Sequence, residues 1–384
     1  MKLTKLSLAI VGSTCLVAGA AQAAGPTLSD VLGNSGITES GYIDAAYTYL
    51  DSKDTLNAFD GNYGSTFNIK QAALQLAKQP ASGFGGLVNI TMGSDADIIK
   101  SYPYAAVPGG GSGFDLTQAF AQYTTGALTL QAGKYTTLAS AEVIAPNGNT
   151  NITRSIEFFQ VPFTHTGVRA TYAPSSTVTL YGGLNNGWDE QSAETIDKTA
   201  ELGLAWSPTA SFSWALQGYY GPQPAVDQLT GATLKGSDRS LIDTVLTWKT
   251  TSALTLILNA DYGQQTKASV TSPGGDANWS AVVGYINYQW TDKWRTSFRI
   301  ENFDDSDGYK LGLTNLDPSS STYGMPVKSV SEATLTVGYA PDPSFELRGE
   351  VRDDKAEKDA YTKFSGETPT DTSLTLAVEG LYKF

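Results

Sequence analysis

From about residue 39 onward, apolar and polar residues alternate with a period of two, segment after segment, each of strand length. "SFELRGEVR" sets the frame: Phe345, Leu347, Gly349 and Val351 share one face, and Glu346, Arg348, Glu350 and Arg352 share the other. In "ALTLILNADY", Leu254, Leu256, Leu258, Ala260 and Tyr262 oppose Thr255, Asn259 and Asp261. In "KWRTSFRIE", Trp294, Phe298 and Ile300 oppose Arg295, Arg299 and Glu301. Read this way, the chain predicts sixteen strands, at 41–50, 67–78, 84–93, 114–123, 127–136, 167–173, 177–185, 199–207, 211–220, 239–249, 253–262, 279–290, 294–303, 329–340, 344–353 and 373–384.

The connections between these segments alternate between long and short. The short ones read "TTG", "SST", "PTA", "TTS", "TDK" and "PDP", which is turn chemistry. Strict long-short order over an even number of strands describes an up-and-down meander with its short turns on one rim. That is the plan of outer-membrane barrels, with short periplasmic turns and long extracellular loops. A soluble sandwich or propeller has no reason to sort its loops so. The expected fold is therefore all-β, a transmembrane antiparallel up-and-down barrel over 39–384. Tyr47, Tyr49, Trp206, Trp248, Tyr288, Trp290, Trp294, Tyr339 and Tyr382 fall near strand ends, as interfacial girdles require. The last strand puts Leu374, Leu376, Val378, Tyr382 and Phe384 on one face. Tyr382 and Phe384 resemble the terminal signal by which barrel-assembly machinery recognises its clients.

Composition adds the compartment. Lys2 and Lys5, an apolar run from Leu6 to Val17, and Ala21-Gln22-Ala23 form a secretory signal peptide over 1–23. Acylation of Cys15 would make a lipoprotein instead, but the A-x-A triplet lies downstream of it. The only cysteine leaves with the signal, so no disulfide is expected. With 38 acids against 25 bases and a net charge of −13, a nucleic-acid partner is not expected. Residues 24–38 read as a periplasmic leader, loosely ordered or plugging the mouth.

Sixteen strands enclose an aqueous channel where eight would be filled by side chains. The polar face is rich in charge, which cannot face lipid at mid-membrane without a cost of about 2–4 kcal/mol for each basic residue. The predicted lumen lining is Asp44, Lys70, Lys134, Glu201, Asp243, Asp261, Arg295, Arg299, Glu301, Glu332, Glu346, Arg348, Glu350, Arg352 and Glu379. Some of these, such as Glu346 to Arg352, should pair into ladders surrounded by water. The connection 137–166 is unusually apolar for an outer loop, with Ile156, Phe158, Phe159, Val161 and Phe163. Folding into the barrel would bury these residues and narrow the pore, with Arg154, Glu157, Phe158 and Phe159 at the constriction, opposite Arg169. Capping the mouth, or touching a neighbouring subunit, would also cover them. The single histidine, His165, reads as a structural hydrogen-bonder rather than a catalytic base, since no partner spacing accompanies it. "DDSDG" at Asp304–Gly308 reads as a turn rather than a calcium loop, because the later glutamate is missing.

"GYIDAAYTY", "FDLTQAFAQY" and "VPFTHTGVRATYAPSSTVTLYGGLNNGWD" resemble the OmpL-like family of predicted outer-membrane β-barrel porins, and the likeness runs over most of the chain beyond the signal. The resemblance implies a channel in the bacterial outer membrane and supplies no solute and no catalytic residue. The expected function is passive diffusion of small hydrophilic solutes or ions through a charged aqueous lumen. The alternative is a closed barrel serving as adhesin, receptor or scaffold through its loops. No enzymatic activity, cofactor or metal is expected. The expected partners are outer-membrane lipid, barrel-assembly machinery, small hydrophilic solutes and, by analogy alone, two further copies in a homotrimer.

Overall fold

The computed structural model describes residues 33–53, 56, 59, 65–103, 111–192, 197–226, 233–234, 236–366 and 368–384. The signal peptide and nearly all of the expected leader lie outside the described residues. The sixteen predicted strands are all present: β1 (Thr38–Leu50), β2 (Thr66–Lys78), β3 (Gly83–Met92), β4 (Phe114–Thr125), β5 (Leu128–Thr136), β6 (Thr164–Ser175), β7 (Val178–Asn185), β8 (Thr199–Thr209), β9 (Phe212–Pro222), β10 (Asp238–Lys249), β11 (Leu254–Gln265), β12 (Ala277–Gln289), β13 (Trp294–Asp304), β14 (Ser329–Asp342), β15 (Phe345–Ala356) and β16 (Thr372–Lys383). Each pairs antiparallel with its sequence neighbour, and β16 pairs with β1, so the sheet closes into a barrel without an edge. Closure is what allows a sheet to stand in hydrocarbon, where an unpaired backbone group has no water to turn to. Strand β6 begins three residues before the end of the predicted loop 137–166, which makes the long connection 137–163.

The two-residue period does what it predicts. Leu347 and Val351 are exposed on the outer face, while Arg348, Glu350 and Arg352 between them are buried inside. Leu258, Ile300, Leu335 and Val378 continue the outer apolar band. Aromatic pairs mark the rim that carries the short turns: Trp294 with Tyr339 at 4.6 Å between ring centroids, Tyr288 with Trp290 at 4.5 Å, and Phe84 with Tyr123 at 4.8 Å. At the seam, the Gly41 N–H donates to the Phe384 carbonyl at 2.9 Å, and the Phe384 N–H donates back at 3.0 Å. The Phe384 ring lies over Gly41, where a Cβ would come within 2.4 Å of it and 2.7 Å from the Ala73 carbonyl oxygen. Tyr382 and Phe384 themselves are exposed on the outer surface.

Irregularities break the alternation, and one in β4, opposite Asn89/Ile90, leaves Thr117 as an extra residue beside Gln118. A bulge opposite Asp44/Ala45 leaves Lys70 as an extra residue, and both Lys70 and Gln71 are buried within the barrel. Gly133, with φ at +135°, takes a conformation that only glycine adopts readily, and Lys134 and Tyr135 after it are both buried. The extracellular half of the interior holds a packed apolar cluster, with Trp279, Phe303, Val330 and Ala356 from the strands and Leu311 and Val327 from the loop 305–328.

These assignments predict the effect of charge on either face of β15. Val351→Arg places a guanidinium in the mid-strand lipid band and should destabilise the folded barrel by about 2–4 kcal/mol. Denaturant titration of protein refolded into vesicles, read by the gel-mobility shift of the folded form, measures it. A neutral result would mean that the outer face of β15 does not meet hydrocarbon.

Candidate functional site

Loop 137–163 leaves β5, turns inward and crosses the barrel. Its backbone is irregular, apart from two single turns of 3-10 helix at Pro146–Gly148 and Glu157–Phe159, so its N–H and C=O groups need partners from elsewhere. The wall supplies them. Glu350 on β15 accepts the N–H groups of Ile152 and Thr153 at 2.6 and 2.9 Å. Glu301 on β13 accepts those of Ile156 and Glu157, both at 2.7 Å. Asp243 on β10 and Asn259 on β11 accept Ser140 and Ala141 at 3.1 and 2.5 Å.

The loop carbonyls are met by cations. Arg295 donates to Thr150 at 2.7 Å, Arg299 to Thr153 at 2.6 Å, Arg348 to Pro146 at 3.2 Å, and Arg352 to the carbonyl of Arg154. From the opposite side of the seam, Gln71 and Lys70 on β2 donate to Ile144 and Ile152 at 3.1 and 3.4 Å. Arg299 also binds Glu142 of the loop at 2.8 Å and Glu332 of β14 at 2.9 Å.

The predicted lumen charges thus point inward but meet the loop and one another, not open water. Arg299, Arg352 and Glu379 are fully buried, and the expected solvated ladder of Glu346, Arg348, Glu350 and Arg352 is a dry one. Arg348 binds Glu346 and Glu379, Arg295 binds Glu346, and Arg352 binds Asp354. Lys134 pairs with Asp115 at 3.2 Å, and Asp44 and Asp261 are buried beside Glu379 and Asp243 respectively. The physical reason for the difference is the loop, whose unpaired backbone competes successfully with water for these groups.

The expected constriction residues separate. Arg154 is buried and donates to the carbonyls of Val143, Ile144 and Ile152 within its own loop, its guanidinium 5.4 Å from the Phe59 ring and 5.7 Å from the Phe158 ring. Burial, with Asp261 and Asp243 close by, pushes the Glu157 carboxyl well above the usual range. Phe158 and Phe163 pack with Ile144, with Phe59 from loop 51–65 and with Ile99 from loop 93–113, and Phe159 lies against the cluster. Arg169 does not oppose them. It binds Glu201 at 2.6 Å and lies 4.1 Å from the centroid of Tyr135.

His165 is fully buried, with Nδ1 3.0 Å from the Gly187 carbonyl and its ring stacked on Tyr219 at 4.7 Å. The Asp305 carboxylate of "DDSDG" accepts the N–H groups of Tyr309, Lys310 and Leu311, closing a turn.

Several contributors escaped the sequence reading. Gln71 follows Lys70, and a bulge is needed for both to face inward, while Thr336, which accepts from Asn151 of the loop at 2.7 Å and donates to Glu350, had no feature beyond being polar. Glu142 lies in the loop that was read for its apolar residues, and its inward partner, Arg299, was visible.

On its far side the loop leaves a cavity of about 550 Å³ against the inner face of β1–β5, bordered by residues 138–140 and 142–145, Asn147, Phe158 and Phe163 of the loop. It reaches the periplasmic rim at Ser40, Lys383 and Phe384.

Comparison with known proteins agrees with this architecture. A family model described as "Putative beta-barrel porin-2, OmpL-like" matches residues 36–384. No curated protein matches the chain. Among solved structures, the outer membrane channel DcaP of Acinetobacter baumannii is 12% identical, with a TM-score of 0.59 over 91% of this chain and 97% of that one. OprB of Pseudomonas putida is 13% identical, with a TM-score of 0.59 over 93% and 96%. OmpT of Vibrio cholerae, described in a trimer form, is 9% identical, with a TM-score of 0.55 over 91% and 99%. At these identities the three share the fold with this chain.

The anchoring scheme makes a prediction for the loop. Glu301→Ala leaves the Ile156 and Glu157 amides without an acceptor, at a cost of about 1–3 kcal/mol for each group left unpaired. Amide hydrogen exchange should therefore accelerate over residues 152–158 while β13 itself stays protected. Unchanged exchange in the loop would mean that Glu301 does not hold it.

Proposed function

The chain belongs to the OmpL-like family of β-barrel porins of the bacterial outer membrane, and from that premise we propose that it passes small hydrophilic solutes by passive diffusion, with loop 137–163 setting the width of the route. One observation carries this reading: the loop is bound across the barrel by side chains from both sides of the seam, yet leaves an unfilled cavity along β1–β5. A barrel serving only as a platform for its outer loops needs no such space, and the adhesin or receptor alternative is not favoured. Selectivity in such a route comes from its width and from the groups that border it. Assembly as a homotrimer belongs to the same reading and rests on the trimeric form described for a structurally similar barrel.

Removing residues 141–155 and joining the ends through a short glycine linker tests the role of the loop. Single-channel conductance in planar bilayers should rise several-fold over that of the intact protein. Equal conductance would overturn the assignment of loop 137–163 as the constriction.

A further inference from the structure

The loop divides the interior into two unlike halves. On the side of β10–β15, seven acidic and basic groups, Asp243, Arg295, Arg299, Arg348, Arg352, Glu301 and Glu350, are engaged with its backbone. On the side of β1–β5, the strands border the cavity with amides and hydroxyls, among them Gln75, Asn89, Thr117 and Gln118, while the loop faces it with Leu138, Val143 and Ile144 beside Ser140 and Asn147. Two charged side chains border it. Glu142 is buried and committed to Arg299 and to the Ser155 N–H and hydroxyl; Lys383 stands at the periplasmic rim. On this wall, Lys134 with Asp115 is likewise buried and internally matched. The cavity ends against Phe158 and Phe163, part of the apolar cluster with Phe59 and Ile99.

We infer that this route selects neutral, hydroxyl-rich solutes of sugar-alcohol size and discriminates against ions of the same size. The inference rests on the porin reading and specifies its substrate class. Amide side chains offer donors and acceptors together, so they replace water around a hydroxyl group in either sense. The faces of Phe158 and Phe163 suit the C–H faces of such a molecule. The residues of β1–β5 that border the cavity bring no charge to an ion, and beside Phe158 and Phe163 it must shed hydration against an apolar wall, the situation in which hydrophobic constrictions exclude ions. The arginines that would otherwise draw anions inward are spent on the loop carbonyls.

The test uses the full barrel in proteoliposomes, with xylitol as the neutral probe and the sodium salt of the matching five-carbon sugar acid as the charged one. Osmotic swelling with xylitol should be faster by about tenfold or more, which corresponds to a single decade of barrier difference. Gln118→Glu, which sets an unmatched charge on the lining of β4, should slow xylitol only slightly and raise sodium permeation relative to chloride in planar bilayers. Phe163→Ser should raise ion conductance by wetting the apolar end. Equal swelling with both probes, or a large ion conductance in the unaltered barrel, overturns the inference while leaving the porin reading in place. Swelling with neither probe, from protein shown to be folded by its gel shift, removes the porin reading and the inference with it.

Discussion

A polypeptide that leaves a sheet and enters a confined interior carries its own unpaired amides and carbonyls with it, and each one must be answered. In this barrel the answer is ionic. Glutamates at 301 and 350 each take a pair of successive N–H groups, and arginines at 295, 299, 348 and 352 each take a carbonyl. Charge-assisted hydrogen bonds of this kind are roughly twice as strong as neutral ones, and they repay the desolvation of groups that would otherwise remain in water. Arg299 also binds Glu332 and Arg348 binds Glu379, each on the next strand, while Arg352 pairs with Asp354 on its own. The position of the loop, the shape of the remaining cavity and the division of the interior all follow from this one exchange of water for wall.

Much of this architecture was legible in the sequence, for a specific reason. Lipid on one side of a closed wall and polar groups on the other impose a period of two that nothing local needs to override, so Leu347, Val351 and their neighbours declare their face directly. The alternation of turns and loops then fixes the topology. The charges at 299, 301, 350 and 352 were recognisable as inward for the same reason, since lipid rejects them. Their partners were not recognisable. Whether an inward arginine meets water, a carboxylate across the strand or the carbonyl of a distant loop depends on contacts separated by more than a hundred positions in the chain, and periodicity is silent about those.

Departures from alternation show where strand reading stops. Lys70 was placed inside by its charge, but Gln71 beside it could not be, because a bulge is required to turn consecutive residues the same way. Lys134 and Tyr135 depend similarly on Gly133. The apolar residues of the inward loop were read correctly as needing cover, while the identity of that cover, Phe59 and Ile99 from two other loops, was again a matter of long-range packing. Arg154 and Glu157, expected at the constriction, are both buried: one donates to carbonyls of its own loop, and burial with Asp261 and Asp243 nearby pushes the other toward its neutral form.

The bulge at Lys70 has a mechanical consequence. The junction of the first and last strands is where a closed sheet is joined by contacts between residues farthest apart along the chain, and so where thermal opening should begin. Gln71, turned inward by that bulge, grips Ile144, and Arg348 on the other side of the junction grips Pro146 two residues further on. The segment 144–146 is thus an internal clasp spanning the joint. A segment held on both sides of the joint ties the ring together from within, and withdrawing the loop would remove that tie.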